Sequence, residues 1–276
     1  MFRRVLLPMV NYPFPTLPST IDQAVSLAQL LKAELYGLSL EMEPPVGLGY
    51  GYTMPFVGEM IAAEQVKAAA NKETIAKEFA EKASAGGVAH SFVRRRCMRH
   101  EVPDLCAAAA RFCDLSLLPI DDNAPLDQWY AEGVIFESGH PALVLPRMHE
   151  FRRIDRAAIA WDGSRAAIRS ITDAIPLLSR ASEVLAITAT PGKSEAEGLS
   201  AELLAYLLRH GIAAKWEAVK AGDLAPTDAL VARVAEFGAD FLVMGAFGHS
   251  RLRDFILGGF TKEMLAKPPL PVFMSY

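Results

Sequence analysis

Two glycine-bearing stretches near the end of the chain have the residue types that could hold an anion: Met244-Gly245-Ala246-Phe247-Gly248 and, after nine intervening residues, Gly258-Gly259-Phe260-Thr261. The first follows Phe241-Leu242-Val243-Met244, an apolar run short enough and glycine-bounded enough to predict a buried strand feeding a tight loop. Glycines in such a loop permit positive φ and let backbone N–H groups come close to a ligand. The second stretch predicts a helix opening at Phe260, whose first N–H groups are unpaired and sit at the positive end of the helix dipole. Two such devices meeting at the carboxyl end of a strand suit a polyphosphate.

In an open parallel sheet a ligand sits beyond the carboxyl ends of the strands, where the strand order reverses. Three loops would meet there: Trp161-Asp162-Gly163-Ser164, Thr188-Ala189-Thr190 and the glycine loop. Asp162 has two readings, a cap for the following helix or an acceptor for a base or a sugar. His249, Ser250 and Arg251 read equally as phosphate neighbours and as solvated loop residues. The 6 histidines lack metal-ligand spacing, and the 3 cysteines pair in no metal or disulfide pattern. Cys106 and Cys113 instead read as small core hydrophobes. Asp121-Asp122 is a polar loop, since adjacent carboxylates point apart. Neither a Gly-x-x-x-x-Gly-Lys-Ser/Thr loop nor a Gly-x-Ser-x-Gly elbow occurs. No positioned base, nucleophile or metal set points to rapid catalysis.

The elements that must position these residues are written twice. Strand, amphipathic helix and strand are expected over Arg4 to Val10, Thr20 to Lys32 and Glu34 to Leu40, and again over Ala157 to Trp161, Arg165 to Ser179 and Glu183 to Ala189. Ile21, Ala24, Val25, Ala28 and Leu31 form the core stripe of one helix, and Ile168, Ile171, Ile175 and Leu178 that of the other. Later segments correspond as well, with Cys113-Asp114-Leu115 matching Ala239-Asp240-Phe241 and the strand at Pro141 to Pro146 matching Leu270 to Ser275. An insertion of about two dozen residues in the first copy maps to the Pro/Gly/Tyr-rich segment Glu43 to Glu59, read as a long loop before a helix starting near Met60. The expected fold is α/β, two tandem doubly wound parallel-sheet domains spanning 1–150 and 151–276, with the boundary near Met148-His149-Glu150. The apolar terminal strand Pro271 to Met274 could form a sheet edge, which invites pairing.

At 276 residues, 51% hydrophobic and 22% charged, the chain supports a sizeable core. A net charge of -4 offers no overall field for nucleic acid or an anionic membrane. Arg94-Arg95-Arg96 reads as the solvated face of an edge strand. No apolar run reaches the ~18 residues of a membrane span, and the start of the chain has no signal-peptide pattern. The expected location is the cytoplasm.

On these residues the second copy resembles a universal stress protein domain, whose nucleotide-binding members carry Gly-x-x-Gly, nine residues, then Gly-Ser or Gly-Thr. Gly245, Gly248, the spacing, Gly258 and Asp162 match, and the resemblance covers nearly all of Phe151 to Tyr276. It implies a Rossmann-like, adenine nucleotide alpha hydrolase-like fold and a site for ATP or a related adenine nucleotide, with Mg a possible companion. Asp162, beside Trp161, would contact the adenine or ribose side. Ala189 would line the adenine pocket, Met244 and Gly245 would flank the sugar and phosphates, and Gly248, Gly258, Gly259 and Phe260 would offer backbone donors. Gly259 departs from the pattern by removing a hydroxyl, for which Thr261 could compensate in part. The first copy has Val10 in the place of Asp162 and Pro119-Ile120-Asp121-Asp122 in the place of the glycine loop, so one nucleotide site per chain is expected. The resemblance also implies pairing between the two copies through their last strands and a homodimer. Two alternatives stay open at this point: an interaction scaffold without nucleotide, and a slow ATPase using Arg251 or Arg253.

Overall fold

The computed structural model describes residues 1–44, 55–120, 125–146, 154–190, 198–220, 222, 225–246 and 259–276. In chain order the first half runs β1 (Arg4–Val10), α1 (Pro18–Leu31), β2 (Glu34–Glu41), α2 (Pro55–Ala85), β3 (His90–Arg96), α3 (Val102–Ala110), β4 (Leu115–Ile120), α4 (Pro125–Glu137) and β5 (Ala142–Pro146). The second runs β6 (Arg156–Ala160), α5 (Arg165–Leu178), β7 (Glu183–Thr190), α6 (Ser200–Arg209), β8 (Ala214–Lys220), α7 (Pro226–Phe237), β9 (Phe241–Gly245), α8 (Gly259–Ala266) and β10 (Val272–Ser275).

Strand composition follows position. The runs Leu-Ser-Leu-Leu-Pro-Ile of β4 and Val-Phe-Met-Ser of β10 are buried throughout, as strands covered on both faces must be. Alternate residues feed two cores. Val5, Leu7 and Met9 of β1 pack with Ile21 and Leu27 of α1 and with Phe79 of α2, whereas Leu6 and Val10 pack with Cys106 of α3 and Tyr130 of α4. Each half is thus doubly wound, its strand order reversing between β1 and β4 or between β6 and β9.

The two halves share one sheet of order β3-β2-β1-β4-β5-β10-β9-β6-β7-β8. β5 and β10 pair antiparallel, Leu143 opposite Phe273, and every other neighbouring pair described is parallel. The expected pairing of the halves through their last strands is therefore present. The expectation of an edge at the terminal strand is corrected: β10 lies in the interior, its apolar run covered by β5 on one side and β9 on the other. The outer strands are β3 and β8, and their exposed residues Arg94, Arg95, Arg96, Lys215 and Lys220 are of the kind that discourages further strand addition.

Each half also begins its first strand in the same way. The Asp114 carboxylate accepts the N–H groups of Arg3 and Arg4 at 2.8 and 2.9 Å, and Asp240 accepts those of Asp155 and Arg156 at 2.7 and 2.8 Å. Arg4 pairs with Glu34, as Arg156 does with Glu183. These matching clamps are the structural form of the sequence repeat.

The loop expected over Glu43 to Glu59 is shorter than foreseen, because α2 begins at Pro55. Proline is well suited to the first turn of a helix, where its missing N–H would have no partner. At 31 residues α2 far exceeds its counterpart α6, of 10 residues, so much of the insertion is helix. The expected boundary at Met148-His149-Glu150 and the pair Asp121-Asp122 lie outside the described residues. Cys106 and Cys113 are buried as anticipated, and burial pushes the Cys113 thiol up to about 11 and that of Cys106 higher still.

Candidate functional site

β6 pairs with β7 on one side and β9 on the other, so the carboxyl ends of these three strands come together at the point of reversal in the second half. Trp161 and Asp162 leave β6 there, Ala189 lies near the end of β7, and Met244 and Gly245 close β9. Trp161 is held from two directions: its N–H donates to the Ile187 carbonyl at 2.9 Å, and its carbonyl accepts the Thr188 hydroxyl at 2.9 Å. Thr188 in turn accepts the Trp216 indole N–H at 3.1 Å, which ties three adjacent strands behind the site. This chain of bonds escaped the sequence reading, although Thr188 falls within a loop segment that it singled out.

Asp162 is exposed, and its Oδ1 accepts the Ser164 N–H at 2.9 Å, bridging Gly163 at a φ of 76°. The cap of α5 is Ser164, whose hydroxyl oxygen accepts the Ala167 N–H at 3.1 Å. The capping reading of Asp162 is corrected accordingly. The aspartate shapes the turn that delivers Ser164 to the helix, with its carboxylate on the solvent side.

Gly245 has a packing role that the sequence did not disclose. A Cβ there would stand 2.5 Å from the backbone carbon of Ala166 and 2.6 Å from the nitrogen of Ala167. The first turn of α5 therefore rests directly on the end of β9, and glycine makes that approach possible. Met244 beside it is buried, and Ala189 is half-buried. Gly259 starts α8 in the open: it is exposed, and a Cβ would meet nothing within 4 Å. Phe260 is half-buried, while Thr261 is buried at 3% exposure. Gly248, His249, Ser250, Arg251 and Gly258 lie outside the described residues.

Asp162 thus puts an exposed carboxylate just past the end of β6, and Ala189 a half-buried small apolar side chain near the end of β7. Among the described residues no group of three or more His, Cys, Asp or Glu could hold a metal ion. Among the described residues, too, no helix is long and apolar enough to cross a membrane.

In the first half, the chain folds over the end of β1 on the side of β4. The Val10 N–H donates to the Thr16 hydroxyl oxygen and the Thr16 N–H to the Val10 carbonyl, both at 2.9 Å, folding Asn11 to Pro15 over the end of β1. Phe14 and Pro15 then line a space with Thr20, Pro119, Asp127 and Tyr130 that measures only about 20 Å³. That is room for about one water. Tyr130 closes the floor by donating its hydroxyl to the Pro119 carbonyl at 2.9 Å, and burial pushes the Asp127 carboxyl up to about 7.

Residues 157–275 match the family model described as the universal stress protein family. Universal stress protein Slr1230 of Synechocystis is 30% identical over 149 residues, covering 51% of this chain. The chain spans 48% of that relative's length. Among solved structures, a universal stress protein from Archaeoglobus fulgidus superposes with a TM-score of 0.72 at 18% identity, covering 99% of this chain and 95% of its own. A putative universal stress protein from Pseudomonas aeruginosa gives 0.57 at 14% identity, covering 99% and 93%. At these identities the superpositions speak for the fold across both halves, and the family model speaks for the second. The likeness to the universal stress protein family is thus one of the second half, residues 157–275.

Proposed function

We propose that the chain binds ATP or a related adenine nucleotide at the ends of β6, β7 and β9, and that occupancy alters what the protein contacts in a stress response. The observation that carries this reading is the meeting of Asp162, Ala189, Met244 and Gly245 at the point of strand reversal in one half, where the other half has Phe14, Pro15 and Tyr130 around a space of about 20 Å³. Small-molecule sites occupy about 300–1,000 Å³, so the first half, 1–150, acts as a degenerate domain of the same kind. Asp162 would accept from the base or ribose, and the first N–H groups of α8 would meet phosphate oxygens, with the loop between Gly248 and Gly258 completing the cradle.

The role is binding rather than rapid turnover. Nucleotide can shift a conformational equilibrium only through different affinities for its two states. Mass spectrometry of the small molecules released by denaturing freshly purified protein tests the reading. An adenine nucleotide in the released fraction, and one site per chain by calorimetry, are expected. Protein that carries none and shows no heat with ATP, ADP or AMP would sink it.

A further inference from the structure

Behind the strand reversal of the second half, three residues on three adjacent strands form a relay with a fixed polarity. The Trp216 indole N–H on β8 donates to Thr188 Oγ1 on β7 at 3.1 Å, and the Thr188 hydroxyl donates to the Trp161 carbonyl, just past β6, at 2.9 Å. An indole N–H only donates and a carbonyl only accepts, so the single hydroxyl proton of Thr188 is committed to Trp161. Thr188 is 1% exposed, which keeps water from competing for either bond.

That carbonyl belongs to the peptide joining Trp161 to Asp162. The peptide is planar and trans, so a carbonyl held toward β7 turns the Asp162 N–H away from β7 and sets the direction in which the chain leaves β6. The Trp161 N–H, bonded to the Ile187 carbonyl at 2.9 Å, fixes the same residue from its other end. The Asp162 carboxylate then accepts the Ser164 N–H at 2.9 Å, and Ser164 caps α5. The relay thus reaches the aspartate through one rigid peptide, while its far end lies on an outer strand of the sheet.

The first half folds with other residues at these places. Counted from the matching pairs of Arg4 with Glu34 and Arg156 with Glu183, Trp161, Asp162 and Thr188 correspond to Met9, Val10 and Ser39. The strand register sets Phe92 opposite Gly37 where Trp216 stands opposite Ala186. A phenyl ring has no N–H to give, so the fold does not require the relay, and the relay accompanies the aspartate.

From this arrangement we infer that Thr188 and Trp216 are positioning residues for the nucleotide site, holding the Trp161-Asp162 peptide in the orientation that presents the Asp162 carboxylate to the base or ribose. The inference rests on the nucleotide reading above and adds two residues that act through Trp161 without touching the ligand. A carboxylate already placed loses less freedom on binding, which favours affinity.

Calorimetric titration of the full chain with ATP, ADP and AMP, together with amide NMR of the unliganded protein, tests the inference. Thr188→Val keeps the branched shape and removes the hydroxyl. It is expected to weaken binding of the nucleotide taken up by wild type about tenfold, and to shift the amide signals of Asp162, Gly163 and Ser164 while that of Arg156, at the opposite end of β6, stays in place. Thr188→Ser, which keeps the hydroxyl, should restore both. Trp216→Phe, which places the first-half residue on β8, should retain the fold and weaken binding about threefold, because the Thr188 proton is no longer held to one direction. Wild-type affinity in Thr188→Val or in Trp216→Phe, or equal losses in Thr188→Val and Thr188→Ser, overturns the inference and leaves the nucleotide reading standing. Wild-type protein that takes up none of the three nucleotides ends both, a result seen before any substitution is made.

Discussion

Two glycines that look alike in the sequence do different work. Gly245 is required by the first turn of α5, since any Cβ would meet its backbone at 2.5 Å, so substitution there damages packing whether or not a ligand is bound. Gly259 meets open space, and a serine fits without strain. Gly259→Ser restores the hydroxyl found in nucleotide-binding relatives of this pattern, and it is expected to tighten ATP binding about tenfold by calorimetry, the effect of one hydrogen bond to a charged group. An unchanged affinity would remove Gly259 from the phosphate site. The roles in Asp162-Gly163-Ser164 were half legible: either polar residue could cap a helix, and the positive φ of Gly163 decides that aspartate makes the turn and serine the cap. In the first half, Asp127 carries a testable titration. Its carboxyl is raised from 3.8 to about 7 in the fold by burial, so the folded chain holds a proton that the unfolded chain has lost between those values. Stability from this group is full below about pH 4, declines as pH rises through about 7, and is then flat. Urea denaturation of Asp127→Asn should lose that slope and exceed the wild type at pH 8; parallel pH profiles would contradict it.

At the scale of elements, the strands were the most legible part because buried parallel strands are short apolar runs with sharp ends, as in Leu115–Ile120 and Phe241–Gly245. The start of α2 was not, because from Gly58 to Lys67 no residue is buried and no core impresses a period on the sequence; Met60 and Val66 are exposed. Pro55 was read as a loop former where it is a helix starter. The clamps at Asp114 and Asp240 were aligned by the repeat, yet their role depends on strands far apart in the chain, which sequence spacing does not reveal. Each clamp holds two strand-start N–H groups, and removing it costs about 0.5–1.5 kcal/mol per bond where water can substitute, more where it cannot. The Arg4 bond to Asp114 is half-buried, while both bonds to Asp240 are exposed. Asp114→Ala is therefore expected to destabilise the chain more than Asp240→Ala, with equal losses in chemical denaturation counting against this account.

The whole molecule is organised by the seam between β5 and β10. Phe273 is fully buried in it, between Leu143 of the first half and Val243 of the second, with the Phe2 ring 6.4 Å away. Phe273→Ala should cost about 3–5 kcal/mol, and it should lower the unfolding midpoint of both halves together when hydrogen exchange is followed residue by residue. Loss confined to the second half would show the seam to be weak. The expectation of an exposed terminal edge failed here because the run that reads as an unpaired strand finds its partner in the other copy. Since that partner is on the same chain, dilution cannot part the two halves. In a symmetric assembly of identical subunits any residue change is made on both sides of the axis; a tethered pair is released from that constraint. One half can carry Val10 and Pro119 where the other carries Asp162 and Gly245, so each is at liberty to diverge without disturbing its twin.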